Sequence, residues 1–210
     1  MRILVLDNYD SFTYNLVQYL QEISEFSIEV FRNDEIDVEG VDAFDIIVLS
    51  PGPGIPKDAG IMPELIKKYA STKSIFGVCL GMQAIGEVFG GNLRNLKKVF
   101  HGIETPINVI DQSDPLFQGL PSSFTVGRYH SWVVEKRDLP LDLKITAEDT
   151  EGEIMALRHT TFDVSGVQFH PESIMTDYGK EILSNFLKNA IEVHREKGIK
   201  GRLSIQKRTG

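Results

Sequence analysis

Ser74-Ile-Phe-Gly-Val-Cys79-Leu-Gly-Met-Gln83 is the stretch of sequence that decides the fold. An apolar run ending at Val78 has the character of a buried strand, and the apolar residues from position 80 to 89 recur at helical spacing. Between them lies a Gly-x-Cys-x-Gly pattern, which is that of a nucleophile elbow with cysteine in place of serine. The stretch therefore predicts a tight strand-to-helix turn. Such a turn lifts the sulfur to a helix N-terminus, where the helix dipole favours thiolate.

The glycines at positions 77 and 81 fit this turn, because a side chain on either flank of the cysteine would crowd it. A free cysteine is nevertheless more often a small buried hydrophobic residue than a nucleophile. Taken alone, the stretch leaves both interpretations of Cys79 open.

Strand-like apolar runs alternate with helical segments through the first half of the chain. Strands are predicted over 3–6, 27–31, 46–49 and 75–78, and helices over 12–23, capped by Asp10 or Ser11, over 61–69 and over 80–89. After Gly90-Gly91 strand-like segments dominate, at 103–110, 124–129, 143–147, 153–158 and 164–169, before a last helix over about 178–193. This order predicts an α/β fold with a doubly wound, mostly parallel central sheet and helices on both faces. Additional antiparallel strands are expected in the second half.

The composition is that of a soluble globular chain, with 210 residues, 41% hydrophobic and 25% charged. The single cysteine excludes an intrachain disulfide and indicates a reducing compartment. We expect a cytoplasmic protein, because the N-terminal apolar run is too short for a signal peptide and no stretch is long enough to span a membrane. We expect one domain over residues 1–195 and a flexible basic tail over 196–210. The net charge of −8 argues against nucleic acid as a partner.

His170 stands where a general base would be useful, directly after the strand-like segment 164–169. Pro171 stiffens the turn that follows and separates His170 from Glu172. Residues two apart in an extended segment point the same way, so Glu172 can accept the second imidazole N–H and stabilise imidazolium. A surface turn with no catalytic role is the alternative that this segment leaves open.

The segment Ser50-Pro-Gly-Pro-Gly54 follows a predicted strand and combines rigid prolines with glycines that allow close approach to a ligand. Such a loop can present backbone N–H groups to a developing oxyanion. Pro-Gly pairs also mark ordinary tight surface turns, and this segment alone does not distinguish the two possibilities.

Together these motifs resemble those of the class I (triad) glutamine amidotransferases, and the resemblance covers almost the whole chain. The motifs that carry it, in the family's order, are Ser50–Gly54, Gly77–Gly81 with Gln83, and Phe169-His-Pro-Glu-Ser173. Further segments resemble the glutaminase subunits of anthranilate synthase and of aminodeoxychorismate synthase. These are Leu6-Asp-Asn-Tyr-Asp-Ser-Phe-Thr-Tyr-Asn15, Arg32-Asn33-Asp34, Tyr129-His130-Ser131 and Gly166-Val-Gln-Phe-His-Pro-Glu172.

The resemblance implies a role for each matching residue. Cys79 would be the nucleophile, His170 the general base and acid, and Glu172 the residue that orients the imidazole. The backbone N–H groups of Gly54 and Leu80 would form the oxyanion hole. The residues expected to hold glutamine are Gly52, Pro53, Gly54, Gln83, Ser131 and Trp132. An ordinary exposed helix residue is the alternative for Gln83, and sheet-edge packing is the alternative for Ser131 and Trp132.

The resemblance also implies the reaction. The chain would hydrolyse L-glutamine through a cysteine thioester and pass ammonia to a chorismate-using large subunit, with Tyr9 and Ser11 as partner contacts. We expect the complex to be anthranilate synthase. The alternatives are aminodeoxychorismate synthase, or a single subunit that serves both complexes. Alternatives of another class are a non-catalytic regulatory subunit and a γ-glutamyl peptidase-like cysteine hydrolase. No cofactor or metal is expected in this chain, and Mg²⁺ only in the partner.

The sequence departs from the family's pattern at two places. Met82 stands where the family usually has histidine, and because it lies beside the pocket residue we expect a modest effect. The segment Ile103-Glu-Thr-Pro106 replaces the Lys-Thr-Ser that often follows the equivalent of His101-Gly102. That segment is associated with partner contact, so this departure bears on partner identity rather than on glutamine chemistry.

Overall fold

A computed structural model describes residues 1–97 and 99–206. Its strands are β1 (Arg2–Asp7), β2 (Ser27–Arg32), β3 (Ile46–Leu49), β4 (Ser74–Val78), β5 (Leu93–Asn95), β6 (Ile103–Val109), β7 (Ser123–Arg128), β8 (Trp132–Val134), β9 (Leu143–Asp149), β10 (Ile154–His159) and β11 (Val164–Val167). Its α-helices are α1 (Thr13–Ile23), α2 (Met62–Tyr69), α3 (Leu80–Val88) and α4 (Gly179–Gln206).

One sheet organises the part of the chain that the structure describes. Its nine strands run in the order β2-β1-β3-β4-β11-β10-β9-β6-β7. The strands from β2 to β11 in this order are parallel to their neighbours, and those from β10 to β7 pair antiparallel. The predicted fold class, a mostly parallel sheet extended by antiparallel strands in the second half, is confirmed.

The parallel strands are buried on both faces, which explains why they read as continuous apolar runs. Alternate residues of β1 and β3 enter different cores: Ile3 and Ile46 face one hydrophobic cluster, and Leu4 and Ile47 face the other. Helices α1 and α4 cover the first face, and α2 and α3 cover the second. The sheet is therefore the middle layer of three.

Two short strands were missed by the sequence analysis. β5 and β8 pair antiparallel in a separate small sheet, with Asn95 opposite Trp132. Each has three residues, which is too short for an alternating pattern to show. The pair matters because it places residues 131 and 132 beside the carboxyl end of β4.

The predicted cap of α1 was wrong. Phe12 occupies the N-cap position and makes no capping hydrogen bond through its side chain. The Asp10 carboxylate instead accepts from the Phe12 N–H at 2.8 Å, one residue before the helix, and the Thr13 hydroxyl donates to Asp7 at 2.8 Å. Asp10 therefore stabilises the turn that precedes α1 rather than the helix itself.

The last helix is longer than predicted. Periodicity placed its end near position 193, whereas α4 continues to Gln206 and so includes most of the segment 196–210. Residues 207–210 lie outside the described residues, and the flexibility of the segment stays a prediction. In the part of the chain that the structure describes, every helix is too short or too polar to cross a membrane.

Candidate active site

Cys79 lies between β4 and α3 in a strained backbone conformation, with φ 51° and ψ −99°. A residue other than glycine rarely adopts a positive φ, and such strain at a strand-to-helix turn is the mark of a nucleophile elbow. The Cys79 N–H donates to Val167 O at 2.8 Å, and Cys79 O accepts from the Gln83 N–H at 3.0 Å. The conformation is thus held by the neighbouring strand on one side and by the helix on the other.

The two glycines of the elbow are required by close packing, as the sequence indicated. A Cβ at Gly77 would lie 2.4 Å from the carbonyl carbon of Gly81, and a Cβ at Gly81 would lie 2.8 Å from the Leu49 Cβ. Both distances are shorter than real contacts allow. The turn can therefore form only without side chains at these positions.

Several of the other predicted residues lie in segments that follow strands ending at the same edge of the sheet. β1, β3, β4 and β11 are parallel neighbours, so their carboxyl ends lie side by side. The segments that follow these ends contain Asn8, Ser50–Gly54, Cys79 and His170, respectively. In doubly wound folds this edge is where ligands bind.

His170 and Glu172 form a buried pair, with 2.8 Å between Nδ1 and Oε1 and side-chain exposures of 2% and 0%. An ionised carboxylate can only accept a hydrogen bond, so Nδ1 carries the proton in this pair. The remaining ring nitrogen, Nε2, has no hydrogen-bond partner among the described residues. The His170 backbone is also fixed, because its carbonyl accepts from the Thr176 hydroxyl at 2.6 Å.

Burial by itself would lower the pKa of His170, since it penalises the charged ring. The proximity of Cys79, together with the hydrogen bond and charge of Glu172, outweighs this effect and raises the pKa well above its usual value. Cys79 and His170 also line one cavity. A raised imidazole pKa favours the protonated ring, which can serve as a general acid.

Two aromatic rings pack against His170. The Phe12 ring lies 5.5 Å away in an edge-to-face arrangement, and the Tyr129 ring lies 4.8 Å away. They shield one side of the imidazole from water and restrict its rotation. Phe12 belongs to the Leu6–Asn15 segment that the sequence analysis singled out, although neither ring was predicted to touch the histidine.

A small cavity of about 140 Å³ opens beside the sulfur. Every residue predicted to hold glutamine lines it, together with three others; the lining is Gly52, Pro53, Gly54, Cys79, Gln83, Tyr129, His130, Ser131 and Trp132. Its volume is below that of pockets for drug-sized ligands and suits a single small metabolite. The predicted oxyanion residue Leu80 is the first residue of α3, so its N–H has no acceptor one turn earlier in the helix.

A larger cavity of about 410 Å³ shares Cys79, Gly52, Pro53 and Tyr129 with the small one. It also contains the predicted partner contacts Tyr9 and Ser11; the rest of its lining is Asp10, Phe12, Pro51, His101 and His170. Cys79 thus lies where the two cavities meet. The Tyr9 hydroxyl donates to the Asp34 carboxylate at 2.8 Å, which raises the pKa of this half-exposed tyrosine.

Gln83 is buried, which excludes the exposed-residue alternative. Its amide nitrogen donates to Trp132 O at 2.9 Å and to Gln168 Oε1 at 3.3 Å. With both amide hydrogens used, the oxygen is the polar atom left for a ligand. Met82, the departure from the family pattern, is fully buried against Gly166 and does not line either cavity.

A buried network behind the small cavity escaped the sequence analysis. Arg128 donates from Nη1 to Asp149 at 2.6 Å and from Nε to the His130 Nε2 at 3.1 Å. His130 Nδ1 lies 3.0 Å from Trp132 O, and because Nε2 accepts, Nδ1 is the protonated nitrogen. The network supports the Trp132 backbone at the start of β8.

We expect the free energy of unfolding to fall as pH drops from about 6.5 to 3 because of His130. The pKa of His130 is lowered to about 3, mainly by burial and secondly by the charge of Arg128. His130 is therefore protonated near pH 6.5 in the unfolded chain but stays neutral in the folded chain until about pH 3. Stability is full above the unfolded pKa and decreases below it, by up to about 1.4 kcal/mol per pH unit.

The check is chemical denaturation between pH 7 and 4 of the wild type and of His130→Asn. The variant loses one hydrogen bond, so its stability is lower at pH 7, but its decline towards acid should be shallower. Equal slopes for the two proteins would show that His130 titrates normally in the folded state.

Among the described residues, no group of three or more histidine, cysteine, aspartate or glutamate side chains could hold a metal ion. His170 and Glu172 are engaged with each other.

A strained cysteine elbow next to a buried His–Glu pair, in a doubly wound α/β fold, defines the class: a thiol-dependent enzyme of acyl transfer. Comparison with known proteins makes this assignment specific. A family model described as glutamine amidotransferase class-I matches residues 4–190. The chain belongs to this family, and it is a glutamine amidotransferase.

Curated relatives and a solved structure agree with this assignment. The chain is 47% identical over 199 residues to the aminodeoxychorismate/anthranilate synthase component 2 of Bacillus subtilis (strain 168), covering 94% of this chain and 99% of that one. It is 46% identical over 187 residues to the aminodeoxychorismate synthase component 2 of Escherichia coli (strain K12), covering 88% and 98%. A GMP synthase subunit from Thermoplasma acidophilum superposes with a TM-score of 0.84 at 28% identity, covering 94% and 98%.

Proposed function

We propose that this chain hydrolyses L-glutamine through a thioester on Cys79 and delivers the ammonia to a chorismate-using large subunit. The observation that carries the proposal is the His170–Glu172 pair, because His170 lines one cavity together with Cys79 and its Nε2 has no hydrogen-bond partner among the described residues. Cys79 also lines the small cavity, which has the size of a metabolite. The intact pair speaks against a non-catalytic regulatory subunit. The lining of that cavity by Gln83, Ser131 and Trp132 speaks against a peptidase, which needs an open groove.

Substrate binding uses the small cavity. The glutamine side-chain amide points towards Cys79, and its amino-acid end lies among the polar groups of the wall. Gln83 offers its amide oxygen to the substrate ammonium group, because both of its N–H groups are engaged by the protein. Ser131 and Trp132 form another part of the lining. Trp132 is held by the β5–β8 pair, and Ser131 O accepts from the Leu96 N–H at 2.7 Å.

Acylation begins when the Cys79 thiolate attacks the amide carbon and forms a carbon–sulfur bond. The carbonyl oxygen becomes an oxyanion, and the N–H groups of Leu80 and Gly54 stabilise it; one such donor is worth roughly 10²–10³ in rate. The His170 imidazolium gives its proton to the departing nitrogen, the carbon–nitrogen bond breaks, and ammonia leaves. A γ-glutamyl thioester remains on the sulfur.

Deacylation reverses the proton transfer. Neutral His170 takes a proton from water, the hydroxide attacks the thioester carbon, and the carbon–sulfur bond breaks. Glutamate leaves and the thiolate returns, with the charge of the imidazolium balanced by Glu172. The histidine thus acts once as acid and once as base, which requires that its ring keep one orientation throughout.

The ammonia must reach an acceptor before it is protonated, because ammonium at neutral pH is not nucleophilic. This is the physical reason for a partner subunit. Relatives at 46–48% identity are named as components of anthranilate synthase, of aminodeoxychorismate synthase, and of both. We propose anthranilate formation as the main role, with aminodeoxychorismate formation as the second candidate, favoured by the Bacillus subtilis relative that carries both names.

The test measures glutamate release by the purified chain alone, and then with an anthranilate-synthase-type or an aminodeoxychorismate-synthase-type large subunit. We expect low activity alone and strong stimulation by the partner, because docking over the large cavity would order the Ser50–Gly54 loop. Stimulation by a single partner type names the pathway. Full activity without any partner would contradict the coupling.

Substitutions at the rim of the large cavity locate the docking site. Tyr9→Ala should weaken stimulation more than it weakens labelling of Cys79 by a glutamine-like alkylating agent, since Tyr9 contacts Asp34 and lies outside the small cavity. Leu141→Ala is the matched control, because Leu141 is an exposed apolar residue that lines neither cavity. Equal effects of the two substitutions on stimulation would show that Tyr9 is not part of the docking surface.

A further inference from the structure

Gln168 is a buried polar residue that touches the sulfur and has no assigned role. It follows β11 directly and is completely buried. Its amide nitrogen lies 3.5 Å from the Cys79 Sγ, within hydrogen-bond distance for sulfur. The backbone is fixed as well, because the Gln168 N–H donates to Met155 O at 2.9 Å.

The orientation of the Gln168 amide follows from its neighbour. The Gln83 amide nitrogen lies near two oxygens, Trp132 O at 2.9 Å and Gln168 Oε1 at 3.3 Å. Trp132 O is a backbone carbonyl and can only accept, so the Gln83 group facing it must be its NH₂. The Gln168 atom facing that NH₂ is then its oxygen, which places the Gln168 NH₂ towards the sulfur. Gln168 is therefore a donor to Cys79, not an acceptor.

We propose that Gln168 is a catalytic residue that donates a hydrogen bond to the Cys79 sulfur and stabilises it as thiolate. The inference deepens the proposed function and rests on it. A donor near a titrating group favours the charged form, so the bond is stronger to thiolate than to thiol or thioester. Unlike His170, the amide does not titrate, and it keeps its N–H while the imidazole gives up and regains a proton.

This contact assists both half-reactions. In acylation it raises the fraction of cysteine present as thiolate before attack. In deacylation it stabilises the sulfur as the leaving group when the thioester breaks. The same chain of contacts links the sulfur to the wall of the small cavity, because Gln83 bonds both Gln168 and the backbone of Trp132. Substrate bound against that wall and the charge on the sulfur are therefore coupled through two amides.

The test is the pH dependence of alkylation of the complete chain by iodoacetamide. Cys79 is the single cysteine, so the rate reports its thiolate fraction alone. Gln168→Met removes the donor and keeps the length of the side chain. We expect the apparent pKa of the thiol to rise by about one unit and the rate near neutral pH to fall about tenfold. In the presence of the partner, kcat for glutamine should fall by a similar factor with little change in KM.

A second variant separates donation to sulfur from support of Gln83. Gln83→Met removes the amide that Gln168 supports and leaves the Gln168 N–H facing the sulfur. We expect the thiol pKa of Gln83→Met to stay near the wild-type value, whereas a Gln168 that acts only by holding Gln83 would give the same shift in Gln83→Met as in Gln168→Met. Ser165→Ala is the matched control: Ser165 lies on β11, fully buried, and its hydroxyl has no partner among the described residues.

Circular dichroism identifies variants that have lost the fold. If Gln168→Met has lost it, Gln168→Leu, which also lacks the donor and adds no charge, carries the test. An unchanged alkylation profile in a folded Gln168 variant would overturn the assignment, even if glutamine is hydrolysed as proposed. A shifted profile in a chain that does not hydrolyse glutamine with either partner would instead leave Gln168 as the thiolate donor and overturn the proposed function. The two failures are thus distinguishable.

Discussion

Cys79→Ala should reduce glutamine-dependent amination by the partner complex about 10⁴-fold or more, while amination from added ammonia stays at the wild-type rate. Only the hydrolysis of glutamine needs the thiolate, and the partner uses ammonia from either source. The structure predicts that the variant folds, because alanine is smaller than cysteine and adds no clash to the backbone held at φ 51°. The sulfur is nearly buried and forms only a small part of the core.

The measurement compares the two nitrogen sources in the same preparation of the complex, so that loss of assembly is not mistaken for loss of chemistry. Cys79→Ser is the companion variant, because it keeps a hydroxyl at the elbow but cannot be activated by a base tuned to a thiol. Ser165→Ala serves again as the control for a buried substitution near the sheet edge. Retained glutamine-dependent activity in Cys79→Ala would show that Cys79 is not the nucleophile.

His170→Ala should lower kcat/KM for glutamine by roughly 10²–10⁴-fold, and Glu172→Gln should have a smaller effect. In the proposed mechanism the histidine transfers protons in both half-reactions, whereas the glutamate orients the ring through its 2.8 Å contact with Nδ1. An amide oxygen at position 172 still accepts from that nitrogen. Glu172→Gln also removes one of the charges that raise the His170 pKa, so its pH profile should shift towards lower pH.

Both variants are compared in the complex with the large subunit, with ammonia-dependent activity as the internal reference. His194→Gln is the matched control, because it replaces a histidine of α4 that lines neither cavity. A larger loss for Glu172→Gln than for His170→Ala would show that the carboxylate does more than orient the imidazole.

The parallel half of the fold was predictable because its strands are buried on both faces. Residues 46–49 and 75–78 are apolar at almost every position, as expected for strands buried on both faces. The glycines at positions 77 and 81 indicated a turn in which no side chain fits, and the structure has such a turn. Local patterns failed where contacts from other elements decide. The three-residue strands β5 and β8 form because they pair with each other. The Asp10 carboxylate accepts from the Phe12 N–H in the turn before α1, and residue preference alone does not distinguish this role from that of a helix cap.

The candidate site was predictable as a set of motifs but not as a network. Cys79, His170 and Glu172 stand in segments whose spacing carries their chemistry. Gln168 had an available signal that was not used: it lies two residues before His170, so in an extended segment both side chains point the same way. The support of Trp132 by Arg128 and His130 had no such signal, because it depends on a bond between side chains and a carbonyl whose positions only the fold defines.

The central claim is that glutamine is hydrolysed through a covalent bond to Cys79, and acid quenching followed by mass spectrometry tests it most directly. The complex is mixed with glutamine, quenched during turnover and digested, and the mass of the peptide that contains residue 79 is measured. We predict a γ-glutamyl group on the Cys79 sulfur that disappears when glutamine is exhausted and is absent from Cys79→Ala. Continued release of glutamate with no modification of that peptide, or with the γ-glutamyl group on another residue, would contradict the account.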